Sequence, residues 1–295
     1  MDAMDSAAEL AKVNGGVISK QKAPLSIGQL EHRLLERFPA ADAESWDRMG
    51  LIAGDPTRLV TGVMVALDPT LEAVFAARDA GADVLLTHHP VFLDPPAAFS
   101  PPDGPAPLAG AVLWEAIAGG VALMNIHTAL DASEEASKLL PSLLSLDAHQ
   151  VLLPLDGDPR KGYGRVCSVR AADRPLGLEQ LAARCVSVFG STPRVWGPAS
   201  RDIDTVAVVN GAAGRAPEVC AAEGIPCLIC GEVRYHSALE AAQQGLAIIE
   251  LGHDVSELPL CALLAQAAVE AGVAADAVSI FDQMGNWTVP DAQRL

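Results

Sequence analysis

Histidine is scarce in this 295-residue chain, and most of its histidines follow segments with the pattern of buried strands. Of the seven, four lie within two residues of such a segment: His88, His89, His127 and His253. The carboxyl ends of parallel strands share one edge of a sheet, where α/β proteins place binding and catalytic groups. We therefore expect these side chains to converge, although they are distant in sequence.

Two of these histidines have a carboxylate four residues further along the chain. Asp131 follows His127, and Glu257 follows His253. If both segments start helices, each pair faces the same way and offers an imidazole and a carboxylate to one point. An isolated His-His pair is more often part of a surface turn, but three strand ends with this pattern favour a metal site.

The adjacent pair His88-His89 bears on how many metal ions would bind. Two neighbouring histidines cannot easily bind one ion from the same side of the backbone. They more naturally bind two adjacent ions with a bridging carboxylate, as in two-metal hydrolytic centres. The sequence thus predicts two divalent ions per chain, and the ligand types leave zinc, iron, manganese and nickel open.

Strand and helix patterns alternate around these residues. Strands are predicted at 59–67, 83–87 and 121–126, and helices at 26–38, 68–81 and 108–118. Strand and helix in this βαβαβ order are typical of a parallel sheet. The sheet would place the histidines at its carboxyl edge.

A second region of different character follows. Between about 150 and 200 the elements are short and separated by proline and glycine, and strands at 205–209, 227–229 and 246–251 then alternate with helices. We expect two α/β domains with mostly parallel central strands. Residues 25–135 together with 246–295 would form the first, and residues 136–245 the second. Residues 1–24 have no clear period and are expected to be a flexible leader.

Charge and composition exclude several classes of function. Thirty-seven acidic residues against twenty basic ones give a net charge of −17, which repels phosphate backbones and anionic membranes. No apolar stretch is long enough to span a bilayer, and no signal peptide is evident, so we expect a cytoplasmic protein that binds neither membranes nor bulk nucleic acid. The six cysteines predict reduced core thiols, with Cys227 and Cys230 on opposite faces of a strand.

Six motifs occur in order along the chain. They are Trp46 to Asp55, Leu85 to Pro90, His127 to Asp131, Gly162 to Arg165, Gly231-Glu232 with Tyr235-His236, and Gly252 to Glu257. As a set they resemble the Nif3-like family of dinuclear-metal-centre proteins, which are also called GTP cyclohydrolase I type 2 homologues. The resemblance covers about residues 26 to 290. It implies two α/β domains, a metal pair in the cleft between them, and a homohexamer whose sites face an inner cavity.

The resemblance also implies roles for individual residues. Matched one by one, the metal ligands would be His88, His89, Asp131, His253 and Glu257. His127 would lie beside the metals, in support of the ligands or as an occasional ligand. Glu232 and His236 would line the same cleft, where Glu232 acts as a general base or holds a ligating imidazole in its tautomer. Both residues equally fit the ordinary first turn of a helix.

Two departures from the family pattern lie beside the proposed ligands. Ala129 stands where the family usually has Asn, and Ser133 to Ser137 replaces a glycine-rich segment. They bear on substrate contact more than on metal binding. The loop from Asn210 to Arg215 resembles a glycine-rich turn that could receive a phosphate, although any tight turn after a strand favours glycine.

The resemblance favours a metal-dependent hydrolase that acts on a nucleotide such as GTP. A metal-dependent phosphatase or phosphodiesterase is a variant of that hypothesis. A hexameric scaffold that holds metal or binds other proteins, without turnover, is the alternative from a different class. Five ligands for two ions leave positions open for water, which favours the enzyme.

Overall fold

Helices and strands alternate through residues 24–288, which are the residues that the computed structural model describes. The leader expected at residues 1–24 lies outside them, apart from its last residue. The strands are β1 (Gly50–Ala53), β2 (Val63–Ala66), β3 (Val84–Thr87), β4 (Ala122–Asn125), β5 (Leu146–Leu155), β6 (Asp158–Val169), β7 (Leu176–Gly177), β8 (Arg194–Trp196), β9 (Asp202–Ile203), β10 (Thr205–Ala212), β11 (Cys227–Glu232), β12 (Ala247–Glu250) and β13 (Val278–Ile280).

The α-helices connect and cover these strands. They are α1 (Ile27–Arg37), α2 (Leu71–Asp79), α3 (Leu108–Gly119), α4 (Thr128–Asp131), α5 (Glu134–Leu143), α6 (Leu178–Phe189), α7 (Ala216–Glu223), α8 (Tyr235–Gln243), α9 (His253–Glu257) and α10 (Leu260–Ala271). None of the helices in the described part of the chain is long and apolar enough to cross a membrane.

The first sheet has the strand order β1-β4-β3-β2-β13. Its four strands β4, β3, β2 and β13 are parallel, and β1 runs antiparallel at the edge. Helices α1 and α10 pack on one face, and α2 and α3 pack on the other. Because both faces are covered, strands β2, β3 and β4 are buried along their whole length, which explains their continuous apolar sequences.

The second sheet has the strand order β5-β6-β10-β11-β12-β8. Its central strands β10, β11 and β12 are parallel, and β5, β6 and β8 are antiparallel to their neighbours. Cys227 packs in the core on one face and Cys230 in the core on the other, as the sequence predicted. Two α/β domains with mostly parallel central strands are thus confirmed.

Some elements differ from their prediction. The strand expected at 59–67 is limited to β2, because the backbone amides of Thr61 and Gly62 turn to the carboxylate of Asp83 instead of a strand neighbour. The strand expected at 246–251 is β12, and it pairs with β11 in the second sheet, not with the first domain. Only the later chain, through α10 and β13, returns to the first sheet. The domain boundaries themselves stay a prediction.

Several contacts join the two sheets near the carboxyl ends of their parallel strands. The amide of Gly162 in β6 donates to Ala132 O at 2.8 Å, and Arg165 Nε donates to Ser137 Oγ at 2.9 Å. Asn210 Nδ2, at the end of β10, donates to Asp131 Oδ1 at 2.6 Å. Residues that follow strands of both sheets therefore meet in one place.

Candidate metal centre

His88 and His89 follow β3 directly and continue its ladder. Their amides donate to Ala66 O and Leu67 O, at 3.2 Å and 2.9 Å, so the backbone of both residues is fixed. His88 is fully buried, and its Nδ1 lies 3.1 Å from Ile126 O. A carbonyl can only accept, so Nδ1 carries the proton and Nε2 presents a lone pair.

His89 is oriented by a carboxylate in the same manner. Its Nδ1 lies 2.7 Å from Asp68 Oδ1, which leaves Nε2 free for the site. Burial lowers the pKa of His89, but hydrogen bonding to Asp68 and Glu257 outweighs burial and raises the pKa to about 10. The ring is therefore held in a strongly negative environment, which also favours a metal cation.

His127 lies immediately before α4 and pairs with the buried carboxylate of Asp47. Its Nδ1 is 2.9 Å from Asp47 Oδ1, while Asp47 Oδ2 accepts from the amide and hydroxyl of Thr128 at 2.9 Å and 2.5 Å. Burial alone would raise the pKa of Asp47, but these hydrogen bonds hold it well below its usual range. Asp47 therefore stays ionised and keeps the His127 ring in place.

Helix α9, which packs against β10 and β11 of the second sheet, begins at His253 and ends at Glu257. The predicted spacing of four residues brings the two side chains together, with His253 Nε2 at 3.0 Å from Glu257 Oε2. The same carboxylate oxygen is 3.0 Å from His89 Nε2. Glu257 thus contacts His253 and also His89, which follows a strand of the first sheet.

Glycine is required at position 211 because the Glu257 carboxylate occupies the space of a side chain there. A Cβ at Gly211 would lie 2.0 Å from Glu257 Oε1, and the residue has φ of +59°. The amide of Gly211 donates to Ser256 Oγ at 2.8 Å. The tight turn after β10 therefore makes room for the carboxylate.

All five predicted metal ligands converge. Asp131 Oδ2 and Glu257 Oε1 lie 3.5 Å and 3.8 Å from His88 Nε2. Three overlapping groups have potential ligand atoms within 4.8 Å of one another: His88 with His89 and His127, His89 with His253 and Glu257, and His88 with Asp131 and Glu257. We call these six residues the histidine-carboxylate cluster. His127, which the sequence analysis ranked beside the ligands, is one of them.

The chemistry of this cluster fits a divalent metal. His88 Nε2 is a buried atom without a hydrogen-bond partner among the described residues. A buried polar atom without a partner is destabilising, so native proteins rarely retain one without a purpose. Burial raises the pKa of Glu257, but its contacts with His253 and His89 and the nearby His88 outweigh burial and lower the pKa well below its usual value. Imidazole lone pairs and an ionised carboxylate are the ligands that zinc, iron or manganese accept.

The two residues predicted as catalytic differ in their position. Glu232, at the end of β11, has Oε1 3.2 Å from His253 Nδ1, which places it where it can orient that ring. His236 is exposed on α8, with its ring 5.3 Å from that of Tyr235, and it contributes no atom to the cluster. A catalytic role for either residue stays a prediction.

The sequence analysis missed the groups that orient the ligands. Asp68 and Asp47 hold His89 and His127 through Nδ1, and Asn210 holds Asp131. Asp68 directly follows the predicted strand before it, so the strand-end rule that found the histidines could have found it too. Asp47 follows a short loop, and only the structure shows its distant partner.

A cavity of about 660 Å³ opens beside the cluster. The cluster residues His89, His127, Asp131, His253 and Glu257 form one part of its wall. Much of the remaining wall is apolar or aromatic, with Trp46, Leu93, Leu153, Pro154 and Tyr163. A cavity of this size is within the range that holds small organic ligands.

Comparison with known proteins gives the family. Residues 25–281 match the sequence profile of Duf34/NIF3 (NGG1p interacting factor 3), which is most of the chain. The chain belongs to the Duf34/NIF3 family. Within it, a Streptomyces coelicolor protein named GTP cyclohydrolase 1 type 2 homolog is 34% identical over 233 residues, which cover 77% of this chain and 79% of the relative. A Clostridium acetobutylicum protein of the same name is 26% identical, with 77% and 83% covered.

Solved structures show the same fold as this Duf34/NIF3 protein. A Staphylococcus aureus hypothetical protein superposes with a TM-score of 0.77 at 22% identity, over 91% of this chain and all of the other. A Bacillus cereus protein related to NIF3 superposes with a TM-score of 0.77 at 18% identity, over 89% and 98%. The family resemblance that the six motifs indicated is therefore confirmed.

Proposed function

We propose that this protein is a metal-dependent hydrolase with two divalent ions per chain, which acts on a nucleotide such as GTP. The observation that carries the proposal is the buried Nε2 of His88. It has no hydrogen-bond partner within residues 24–288, and two carboxylates and further imidazoles surround it. Relatives named GTP cyclohydrolase 1 type 2 homolog support the nucleotide part of the proposal.

The ligands would divide between two ions as their positions suggest. His88, Asp131 and Glu257 form one group of potential ligand atoms, and His89, His253 and Glu257 form the other. Glu257 is common to both, so its carboxylate would bridge. When bound, a divalent pair lowers the pKa of water and polarises the carbon or phosphorus under attack.

The chain's own residues would orient and bind. Asp68, Asp47 and the Ile126 carbonyl hold three imidazoles through Nδ1, so that each Nε2 faces the site. Glu232 would hold His253 in the same way, and its side chain is 57% exposed, which leaves it accessible to solvent. From there it would accept a proton as a general base.

Metal analysis and an activity screen test this proposal. Protein purified without added ions is assayed for metal content and then for release of formate or phosphate from nucleoside triphosphates, with the metal-free form as control. Two ions per chain and metal-dependent turnover are expected. Because the chain carries a charge of −17, a triphosphate should bind only with the metals present. Fully loaded protein that turns over no nucleotide would favour the scaffold alternative.

Glu232→Gln tests the general base separately. The substitution keeps an oxygen near His253 but removes the basic carboxylate, so both ions should stay and turnover should fall by roughly a hundredfold. Unchanged turnover at full metal occupancy would remove Glu232 from the mechanism. Glu223→Gln is the matched comparison, because its side chain is exposed and outside the cluster.

We also propose a homohexamer in the cytoplasm. Helix α3 supports assembly, because Trp114 and Ile117, one turn apart, leave 43% and 64% of their surface exposed. Six free and buried cysteines are typical of a reducing compartment. Light scattering should give about six times the 30.6 kDa of one chain. A monomer at micromolar concentration would reject the hexamer, and Trp114→Glu with Ile117→Lys should dissociate it if this face is the interface.

A further inference from the structure

An aromatic side chain at the edge of the cavity beside the histidine-carboxylate cluster is largely exposed and is not part of the packed core. Trp46 lines the cavity with 54% of its surface exposed, and its ring meets that of His127 edge-on at 5.9 Å. One face of a partly exposed indole next to a cavity is suited to stack on a planar ring. The apolar side chains Leu93 and Leu153 line the same cavity.

Tyr163 places a hydroxyl in the wall of the same cavity, near Glu44 and Thr128. Its oxygen is buried and has no hydrogen-bond partner among the described residues. The residue lies between Gly162 and Gly164, which both have positive φ and whose Cβ atoms would collide with the neighbouring strands. Only glycine therefore fits on either side of Tyr163, between the neighbouring strands. Burial and the nearby carboxylate of Glu44 raise the pKa of the Tyr163 hydroxyl, which keeps its proton and remains a donor.

Glu44 adds an acceptor next to this donor. It lines the cavity, its amide donates to Thr128 Oγ1 at 3.0 Å, and no cation in residues 24–288 forms an ion pair with it. Glu44, Tyr163 and Trp46 all line this cavity, so its wall holds a carboxylate acceptor, a hydroxyl donor and an indole. A lactam edge, which has a ring N–H beside a C=O, is the complement of such a pair.

We propose that this cavity binds a planar lactam heterocycle, of the kind found in guanine, hypoxanthine or uracil, with its ring against Trp46, its N–H donated to Glu44 and its C=O accepting from Tyr163. The proposal deepens the proposed function and rests on it, because it names the substrate class of the same site. It concerns ring recognition, which does not depend on phosphate or on turnover.

Inosine and adenosine are the probes that test it, because they are nearly the same size but have opposite patterns of hydrogen-bond donor and acceptor on the base edge. Inosine has N1–H and a C6 carbonyl, whereas adenosine has an N1 acceptor and a C6 amino donor. Calorimetric titration of the metal-loaded protein should show inosine bound about tenfold or more tightly than adenosine. Neither nucleoside carries phosphate, so metal-free protein should keep the same preference.

Three variants identify the groups. Tyr163→Phe and Glu44→Gln should each reduce the preference for inosine about fivefold or more, because each removes one partner of the edge. Trp46→Leu should lower the affinity for both nucleosides equally and leave the preference for inosine unchanged. Tyr235→Phe is the matched control, since this exposed tyrosine does not line the cavity, and it should change neither affinity. Metal content and circular dichroism show that each variant is folded.

Equal affinity for inosine and adenosine, or no binding of either at millimolar concentration, would overturn the inference. So would an unchanged preference in both Tyr163→Phe and Glu44→Gln; if one of them fails to fold, the other decides. These results differ from a failure of the proposed function. A protein that prefers inosine but hydrolyses no nucleotide keeps the ring site, and one that hydrolyses triphosphates without distinguishing the two bases keeps only the metal chemistry.

Discussion

A buried polar group lies at each end of strand β3, and the two groups differ in their hydrogen bonding. At its amino end, the carboxylate of Asp83 accepts from the amide and hydroxyl of Thr61, at 2.6 Å and 2.7 Å, and from Arg58 Nη2 at 2.5 Å. At its carboxyl end, the fully buried His88 has an Nε2 with no hydrogen-bond partner in the described part of the chain. Four strand residues separate the two arrangements.

The difference distinguishes a group that stabilises the fold from one that serves a site. A buried charge with all its partners stabilises the native state, and removal of a partner is costly. A buried lone pair without a partner makes the native state less stable unless a ligand binds it. Substitutions at Asp83 should therefore reduce stability and leave metal binding intact. Substitutions at His88 should remove metal binding.

The largest effect is expected at the carboxyl end. The double substitution His88→Ala with Glu257→Ala removes one imidazole and the shared carboxylate, so metal content should fall from near two ions per chain to a small fraction of one. The free energy of unfolding of the metal-free protein should fall as well, because the variant loses the hydrogen bond of His88 Nδ1 to Ile126 O and the contacts of Glu257 Oε2 with two imidazoles, but the loss of metal is the larger effect. Metal analysis after dialysis, and urea unfolding with a chelator present, measure both quantities.

His236→Ala serves as the control for this variant, since His236 is exposed and outside the cluster. It should retain both ions. Unchanged metal content in the double variant would refute the assignment of ligands. A double variant that fails to fold even without metal would mean that the cluster is part of the structural core.

A smaller effect, on stability, is expected at the amino end. Asp83→Asn removes the charge and replaces one acceptor oxygen by a donor that faces the Thr61 amide, so the free energy of unfolding should fall by about 2–4 kcal/mol. Metal content should stay at the wild-type value. Asp79→Asn, at an exposed side chain, is the matched control and should shift stability by less than about 0.5 kcal/mol. Metal loss in Asp83→Asn would show that the amino end also affects metal binding, contrary to the difference expected between the two ends.

The sequence predicted much of the arrangement at the carboxyl end, for reasons of periodicity. Buried parallel strands are apolar throughout, so β3 and β4 could be located and their carboxyl ends marked by His88, His89 and His127. The spacing of four residues from His253 to Glu257 predicted a shared helical face, and α9 confirms it. Local patterns were sufficient because each signal lies within a few residues of its element.

Contacts between distant segments could not be predicted in this way. The pairing of His127 with Asp47 joins positions 80 residues apart, and the pairing of Asp83 with Arg58 joins positions 25 apart. The hairpin of β5 and β6 also escaped prediction, because its glycines and prolines at bulges interrupt the alternation typical of strands. Sheet membership of β12 depends on its neighbours in space, which periodicity does not encode.

A third prediction concerns the residues that orient the ligands. Asp68→Asn leaves the shape of the side chain but removes the ionised acceptor of His89 Nδ1. Such a change should weaken metal affinity by about 10- to 100-fold, without loss of the site at saturating metal. Competition with a chromophoric chelator measures the affinity. Asp282→Asn, at a carboxylate that contacts only a neighbouring amide, should leave it unchanged. Equal affinity in wild type and Asp68→Asn would show that His89 needs no orienting carboxylate.

The smallest effect is the dependence of stability on pH that Asp83 contributes at the amino end. Burial alone would raise the pKa of Asp83, but hydrogen bonds from Thr61 and Gly62 and the charge of Arg58 outweigh it and hold the pKa below its usual value. Asp83 then binds a proton more readily in the unfolded chain, whose aspartate pKa is about 3.9. Its stabilising contribution is complete above that pH and is lost as the pH falls through the lower pKa of the folded state.

Asp83→Asn has no titrating group at this position, so the stability gap between wild type and variant should be constant from pH 7 to pH 5 and should narrow below about pH 4. Urea unfolding of the metal-free forms at pH 6 and pH 3 measures the gap. The histidine-carboxylate cluster also titrates, but it is common to both proteins and its contribution cancels in the difference. If the difference in the free energy of unfolding is the same at pH 3 as at pH 6, the charge of Asp83 does not contribute to stability. The two ends of β3 would then differ only in their effect on metal content.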